Sequence, residues 1–230
     1  MKILTHFEQG SDEWLAQRVG KVTMSHAKEL LTGGKGKTRQ SYILDLVAER
    51  LSGKPTERYL SMDMQRGIFL EEYAVAAFEA AMPDMLVLNV GFVIHDDERI
   101  GCSPDGIIDE NCGIEIKCPA PRQHIRNVLA DGMDDYYAQV QGNMWICERE
   151  NWYVISFCPW VNDFPLYARV IYRDEEMIKK ISESAIRAAD EVDEMLILPV
   201  NRYGKRVSEI AKDAREAWES MQAMESEVEL

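Results

Sequence analysis

Between Cys102 and Pro119 the chain reads C-S-P-D-G-I-I-D-E-N-C-G-I-E-I-K-C-P. The stretch divides into two predicted strands, 103–109 and 113–118, joined by a polar turn at Glu110, Asn111 and Cys112. On the second strand Glu115 and Lys117 stand two apart, so their side chains leave the same face while Ile114 and Ile116 turn into the core. Asp105, set between Pro104 and Gly106, converges on them if the strands pair in register. Together they make a carboxylate pair with an ammonium alongside. Hard cations such as Mg2+ take carboxylate and carbonyl oxygens plus water, and a nearby lysine can orient or deprotonate an attacking water. Phosphodiester hydrolysis is the chemistry such a set could perform. The same residues also describe a solvated hairpin with a surface ion pair, so the rest of the chain has to supply the context.

The elements that would position this hairpin can be read in order. Ser11 or Asp12 caps a first helix that Gly20 ends, and it carries Trp14 and Arg18 four apart on one face, where an aromatic ring can buttress a guanidinium. A second helix, 25–31, is expected behind a cap at Thr23 or Ser25. The following G-G-K-G-K-T-R reads as a basic loop whose Lys35, Lys37 and Arg39 could grip phosphates, or as a solvated loop of no special role. A helix over 40–52 has Ile43, Leu44, Val47 and Leu51 as its apolar stripe and Gly53 as its stop. A stronger one spans 62–81, with Ile68, Glu71, Glu72, Val75 and Phe78 on one face. An acid on that side is costly unless paired or bound to metal. Pro83 breaks this helix, and V-L-N-V-G-F-V-I-H alternates as a strand leading to the hairpin.

Beyond the hairpin come helices over 122–129 and 135–147, the second with Gln139 beside Tyr136 and Gly142 and with Val140, Met144 and Cys147 as its apolar stripe. Strands over 152–158 and 166–172 follow, then helices over 174–198 and 205–227. This order predicts an α/β chain with a mixed central sheet flanked by helices. Residues 1–198 are expected to form the main domain. Residues 199–230 are expected to form a helical extension packed on the same domain or on a neighbour, with Val207, Ile210, Ala211, Ala214, Ala217, Trp218 and Met221 on one side.

Composition narrows the function classes. A net charge of −14 argues against a broad basic face, yet residues 1–60 hold ten Lys/Arg against seven Asp/Glu whereas residues 174–230 hold eight against fifteen. Nucleic acid could therefore be held in a groove or channel, with nearby acids neutralised by metal. No apolar run is long enough to cross a membrane and no signal-peptide core precedes the first acid, so a cytoplasmic location is expected. Five cysteines with no C-x2-C pair speak for reduced thiols rather than zinc or an iron–sulfur cluster. No phosphate-binding glycine loop of the nucleotide-binding kinds is present. His6, His26, His95 and His124 lack an evident serine or cysteine partner and read as structural.

Taken together, G-S-D-E-W-L-A-Q-R-V-G-K-V-T-M-S, R-G-I-F-L-E-E, C-S-P-D-G, E-I-K-C-P and Y-Y-A-Q-V-Q-G-N-M-W resemble, in the same order, the motifs of the phage lambda exonuclease family, also called the YqaJ-like viral recombinase nucleases. The resemblance runs from about Gln9 to Tyr172. It implies a restriction-endonuclease-like fold of the PD-(D/E)xK type and a Mg2+-dependent exonuclease acting 5′ to 3′ on linear double-stranded DNA. Such an enzyme releases 5′-mononucleotides and leaves a 3′ overhang for strand annealing. A homotrimeric ring, a single-strand annealing partner and a phage or prophage gene in a bacterial host are implied with it.

Position by position, the resemblance makes Asp105 and Glu115 metal ligands, with the Ile116 carbonyl as a third. Glu71 is the helix acid that helps hold a second Mg2+, which Mn2+ could replace, and Glu72 is its less certain neighbour. Lys117 positions or activates water, and Gln139 is the active-site glutamine. Arg18, Ser25 and Ser103 bind a terminal 5′-phosphate, with Trp14 beside them. Met62 and Met64 fall where the family carries a strand-separating wedge, and no counterpart is evident after about Pro199. Two rivals are a flap or single-strand nuclease of the same fold, which would not require a duplex end, and a non-catalytic module that recruits an annealing protein.

Overall fold

A computed structural model describes residues 1–32, 37–56, 61–129, 133–197 and 205–228. The chain divides into two compact units, Met1–Leu196 and Ile197–Leu230. In the first, β1 (Lys2–Leu4), α1 (Asp12–Arg18) and β2 (Val22–Thr23) lead through a 3-10 turn to α2 (Ala27–Leu31), α3 (Lys37–Ser52) and α4 (Met62–Ala81). Then come β3 (Phe92–Ile94), β4 (Ile100–Cys102), β5 (Gly106–Ile107), β6 (Cys112–Lys117) and α5 (Pro121–Leu129). A second 3-10 turn, Met133–Tyr136, opens α6 (Tyr137–Cys147), followed by β7 (Asn151–Phe157), β8 (Leu166–Tyr172) and α7 (Glu175–Leu196). The second unit contributes α8 (Lys205–Val228), on which Val207, Ile210, Trp218, Met221 and Met224 are exposed.

The strands form two mixed four-stranded sheets, β1-β3-β4-β2 and β5-β6-β7-β8, where the sequence suggested one. The expected strand over 87–95 is split between them. Its first part makes a single antiparallel bridge, Leu88 to Ile107, and its second part becomes β3. At the break Gly91 lies so close to Phe7 that a β-carbon would sit 2.6 Å from the ring, a position only glycine fills. In the second sheet β6 runs parallel to β7 with Glu115 level with Val154 and Lys117 level with Ser156, and β7 pairs antiparallel with β8.

Each face of that sheet is covered. Ile114, Ile116, Ile155 and Phe157 pack against Leu70, Ala74 and Phe78 of α4. Trp152 and Val154 join the larger core built from α2, α3, α6 and α7. Strand β6 is therefore buried on both sides, the usual state of a central strand flanked by helices.

The apolar stripes of two helices differ from expectation. On α3 the buried positions are Arg39, Tyr42, Ile43, Leu46 and Glu49, while Leu44 and Leu51 face solvent. On α4 they are Leu70, Ala74 and Phe78, with Ile68, Met62 and Met64 exposed. Neither Thr23 nor Ser25 caps α2; their hydroxyls lie 3.2 Å apart, and the Thr23 amide donates to the Tyr42 hydroxyl instead.

The basic loop is the plainest correction. Lys35 lies outside the described residues, Lys37 is the exposed first residue of α3, and Arg39 is buried at 4% exposure. Arg39 donates through Nη1 and Nη2 to the two carboxylate oxygens of Glu191 on α7, both at 2.8 Å. This bidentate pair joins α3 to α7 and leaves Arg39 no access to DNA. Arg39→Ala should lower stability by about 1–3 kcal/mol through lost charged hydrogen bonds and stem packing, and leave DNA affinity unchanged. Denaturant unfolding and a DNA-binding titration on one preparation would test this. Weakened DNA binding at unchanged stability would restore the basic-loop reading.

Candidate active site

The hairpin pairs Gly106 with Ile114 and Ile107 with Gly113, so one further step of the ladder sets Asp105 opposite Glu115. Its first arm is two residues long, shorter than the predicted 103–109. Asp105 is fixed by its own backbone neighbourhood: Oδ2 accepts the Ile116 amide at 2.5 Å, and Gln9 Nε2 donates to the Pro104 carbonyl at 2.7 Å.

Glu115 is the centre of the arrangement. At 1% exposure it is no surface residue, and the solvated-hairpin reading fails on that observation. A buried carboxylate is tolerable only with several donors around it. Lys117 Nζ reaches Oε1 at 2.5 Å, Gln139 Nε2 reaches Oε1 at 2.6 Å, and Asn143 Nδ2 reaches Oε2 at 3.1 Å. Lys117 also sits 4.9 Å from the centre of the Tyr136 ring, a cation–π distance.

Tyr136, Gln139 and Asn143, spaced three and four, share one face that presses on the Glu115–Lys117 pair. Asn143 was missed in the sequence, although its place one turn beyond Gln139 marks it once Gln139 is assigned. The other glutamine of Q-V-Q, Gln141, serves the scaffold. Its amide donates to the Tyr172 carbonyl at 2.8 Å, and its Oε1 accepts the Asp174 amide at 2.9 Å.

Glu71 faces this group from α4. Burial and then the nearby Glu115 charge hold its carboxyl above the ordinary carboxylate range, with Lys117 opposing. The same two causes, burial first, hold Asp105 well above its usual value, with Glu71 adding to them. Burial would lower the Lys117 ammonium, but Glu115 and Asp105 outweigh it and keep the group charged. Burial, Glu71 and Asp105 push the Cys118 thiol to about 12, so it stays neutral. Glu72 is exposed.

Three acids thus share one lysine; burial first, and crowding of like charge after it, raises Glu71 and Asp105. Among the described residues no hydrogen bond reaches the Glu71 carboxyl or Asp105 Oδ1. No three His, Cys, Asp or Glu groups among them close around one point, and the Glu115 oxygens accept from Lys117, Gln139 and Asn143. Hard oxygen donors with surplus negative charge nevertheless suit a divalent cation, and in that chemistry the set fits one.

A second cluster lies one short step away. Arg18 Nη1 donates to Ser103 Oγ at 2.7 Å, and its guanidinium carbon lies 4.3 Å from the Trp14 ring centre. Trp14 Nε1 donates to Ser103 Oγ at 3.1 Å and to the Gly91 carbonyl at 3.0 Å. With both Oγ lone pairs occupied, the Ser103 hydroxyl hydrogen is free to point at an incoming acceptor. Ser25 does not join them: it is exposed, and its hydroxyl meets that of Thr23. Helix α1 is placed from behind by α3. Glu49 Oε2 accepts the Gly20 amide and Arg50 Nε donates to the Gly20 carbonyl, each at 2.8 Å, where the chain turns through φ +64°.

One histidine does have a serine partner. His124 Nδ1 lies 2.8 Å from Ser156 Oγ, and Nε2 lies 3.0 Å from the Phe164 carbonyl. A carbonyl can only accept, so Nε2 carries the proton and Nδ1 accepts from the serine hydroxyl. Both residues are fully buried, and Asn127 donates to the same Oγ at 3.1 Å. The cluster anchors α5 to β7 and offers no accessible nucleophile.

The family model for the YqaJ-like viral recombinase domain matches residues 13–150. An alkaline exonuclease, LHK-Exo, from Laribacter hongkongensis superposes with a TM-score of 0.75 at 27% identity, covering 90% of this chain and all of that one. A structure of LHK-Exo in complex with dAMP aligns at 29% identity and a TM-score of 0.75, covering 81% of this chain and 94% of that one. A phage-related exonuclease from Haemophilus somnus shares the fold, with a TM-score of 0.60 at 18% identity over 76% of this chain and 95% of its own. No curated protein matches the chain. With these neighbours, the α/β arrangement of mixed sheets flanked by helices is the restriction-endonuclease-like fold expected from the motifs.

Proposed function

The chain belongs to the YqaJ-like viral recombinase family, and from that premise we propose that it is a Mg2+-dependent exonuclease digesting one strand of linear double-stranded DNA from its 5′ end. The products are 5′-mononucleotides and a 3′ single-stranded overhang for recombination by strand annealing. LHK-Exo, the alkaline exonuclease it resembles, has been crystallised with dAMP, a mononucleotide of the kind such a reaction releases.

The observation that carries this reading is the short link between the two clusters. Ser103, held by Arg18 and Trp14, precedes Asp105 by two residues, so their α-carbons are at most about 7 Å apart. A phosphate pocket tied so closely to an acidic site measures a fixed, short length of strand from its end. That is what distinguishes removal of terminal nucleotides from cutting at internal positions.

In this reading Asp105, Glu115 and Glu71 hold two Mg2+ ions, with the Ile116 carbonyl as a further ligand and Mn2+ as a substitute. Bound there, such ions supply a Lewis acid for the phosphate and a more acidic water. Lys117 keeps a fixed positive charge beside Glu115 and orients the attacking water. Gln139 holds Glu115 Oε1 in place, and Arg18, Ser103 and Trp14 receive the 5′-phosphate. Residues 1–198 form the nuclease domain, and 199–230 a C-terminal helical extension.

A homotrimeric ring would gather the few cations of this −14 subunit, Lys35 and Lys37 among them, where DNA passes. Light scattering that found only monomer in a processively digesting sample would remove that part. A single-strand annealing protein is the expected partner, in the cytoplasm of a bacterial host carrying the gene on a phage or prophage. Among the described residues no helix is long and apolar enough to cross a membrane.

Linear duplex labelled at either end, with and without a 5′-phosphate, tests the whole reading. Label at the 5′ end should appear at once as mononucleotide, only with divalent metal, while closed circular duplex survives. Early release from the 3′ end, or digestion of the closed circle, would overturn it.

A further inference from the structure

We propose that Asn143 is a positioning residue that fixes the carboxylate of Glu115 for cation binding, a role no motif of the chain assigns to it. The inference rests on the reading of Glu115 as a cation ligand. Its basis is how the donors are shared. Oε1 of Glu115 accepts from both Lys117 and Gln139, whereas among the described residues Oε2 accepts from Asn143 alone, at 3.1 Å.

The terminal torsion of a glutamate is broad, so a carboxylate held at one oxygen can still swing about its last bond. Donors on opposite oxygens set its plane. Gln139 and Asn143 lie one turn apart on α6, so a single rigid helix face supplies both. That face is itself immobilised. Gln141 ties α6 to the β8–α7 connection, and Gly142 lies so close to Met24 that a β-carbon would stand 2.5 Å from its sulfur. Asn143 is 1% exposed, so solvent offers no ready replacement for its amide.

Neutral amides suit the task, because each donates to Glu115 without cancelling the charge a cation needs. Partners of this kind, one bond removed from a metal, typically change metal affinity or activity about 10- to 100-fold when removed.

The test is a calorimetric titration of the full chain with Ca2+ alone, without DNA, on wild type, Asn143→Ala and Asn143→Leu. The leucine variant keeps the branched side-chain shape, so a donor effect can still be read if the alanine variant folds poorly. Asn143→Ser, which keeps a shorter donor, should fall between leucine and wild type. We expect affinity to drop about 10- to 100-fold in the alanine and leucine variants. Cleavage should fall at limiting Mg2+ and recover with excess, and the KM for DNA should stay put.

Unchanged Ca2+ affinity beside a lowered Tm would show that Asn143 only packs, and would overturn this inference while leaving the proposed function standing. A wild-type protein that bound no divalent metal and cleaved no linear duplex would overturn both.

Discussion

Lys117→Ala is expected to slow digestion of linear duplex by about 10²- to 10⁴-fold, the range that a positioned proton-handling group supplies. The side chain stands 2.5 Å from Glu115 Oε1, and its ammonium stays charged because Glu115 and Asp105 outweigh the cost of burial. Removing it leaves the three acids without their shared cation and, in the proposed reaction, the attacking water without its fixed partner. Folding should survive, because Glu115 keeps the amides of Gln139 and Asn143. A cost of roughly 1–3 kcal/mol is expected, below that of stripping a fully buried pair, because the lysine side chain is 24% exposed.

Lys117→Met, which keeps the stem and loses only the charge, should be equally slow and more stable. DNA affinity should hold in both, since neither variant touches Arg18 or Ser103. Single-turnover rates, chemical unfolding and a DNA titration separate these effects. Turnover within a few-fold of wild type would sink the assignment of Lys117.

Why the site was more legible than its surroundings follows from distance along the chain. Asp105, Glu115 and Lys117 lie within one hairpin, so spacing places them together once the strands pair in register, as Gly106 with Ile114. The helix over 62–81 and the strand over 166–172 were read at their observed bounds because each carries enough periodic or β-rich residues to stand alone. Strands β1, β2 and β4 were not read, being two or three residues long and defined by their pairing rather than by their own residues, as Val22 with Ile100.

Arg39 was misread for a related reason. Beside a run of glycines it resembles a loop cation, but α3 begins two residues earlier and the partner, Glu191, is 152 residues away. His124 hid in the same way, its serine lying on β7. Burial of Glu115 had no local sign either. Ile114 and Ile116 announced one covered face of β6, and only the packing of α6 supplies the other.

Arg18→Ala is expected to erase the preference for 5′-phosphorylated over 5′-hydroxyl ends, a loss of about ten- to a hundred-fold in affinity for the phosphorylated end. The figure follows from a charged hydrogen bond worth roughly 1.5–3 kcal/mol. The guanidinium is already oriented for the task, stacked 4.3 Å from the Trp14 ring centre and bonded to Ser103 Oγ. Ordering it on a phosphate therefore costs little further side-chain entropy, and Ser103 can turn its hydrogen to the same ligand. Arg18→Lys keeps the charge but not the planar fork, so it should restore only part of the discrimination. The alanine variant should retain the rate of the chemical step once DNA saturates it, because Asp105, Glu115 and Lys117 are untouched, yet release its substrate after fewer cuts. Competition between phosphorylated and unphosphorylated duplexes, with product length followed under single-encounter conditions, measures both. If Arg18→Ala still discriminated between the two ends as wild type does, the terminal phosphate would be bound elsewhere, and the short link from Ser103 to Asp105 would lose its meaning as the measure of one nucleotide.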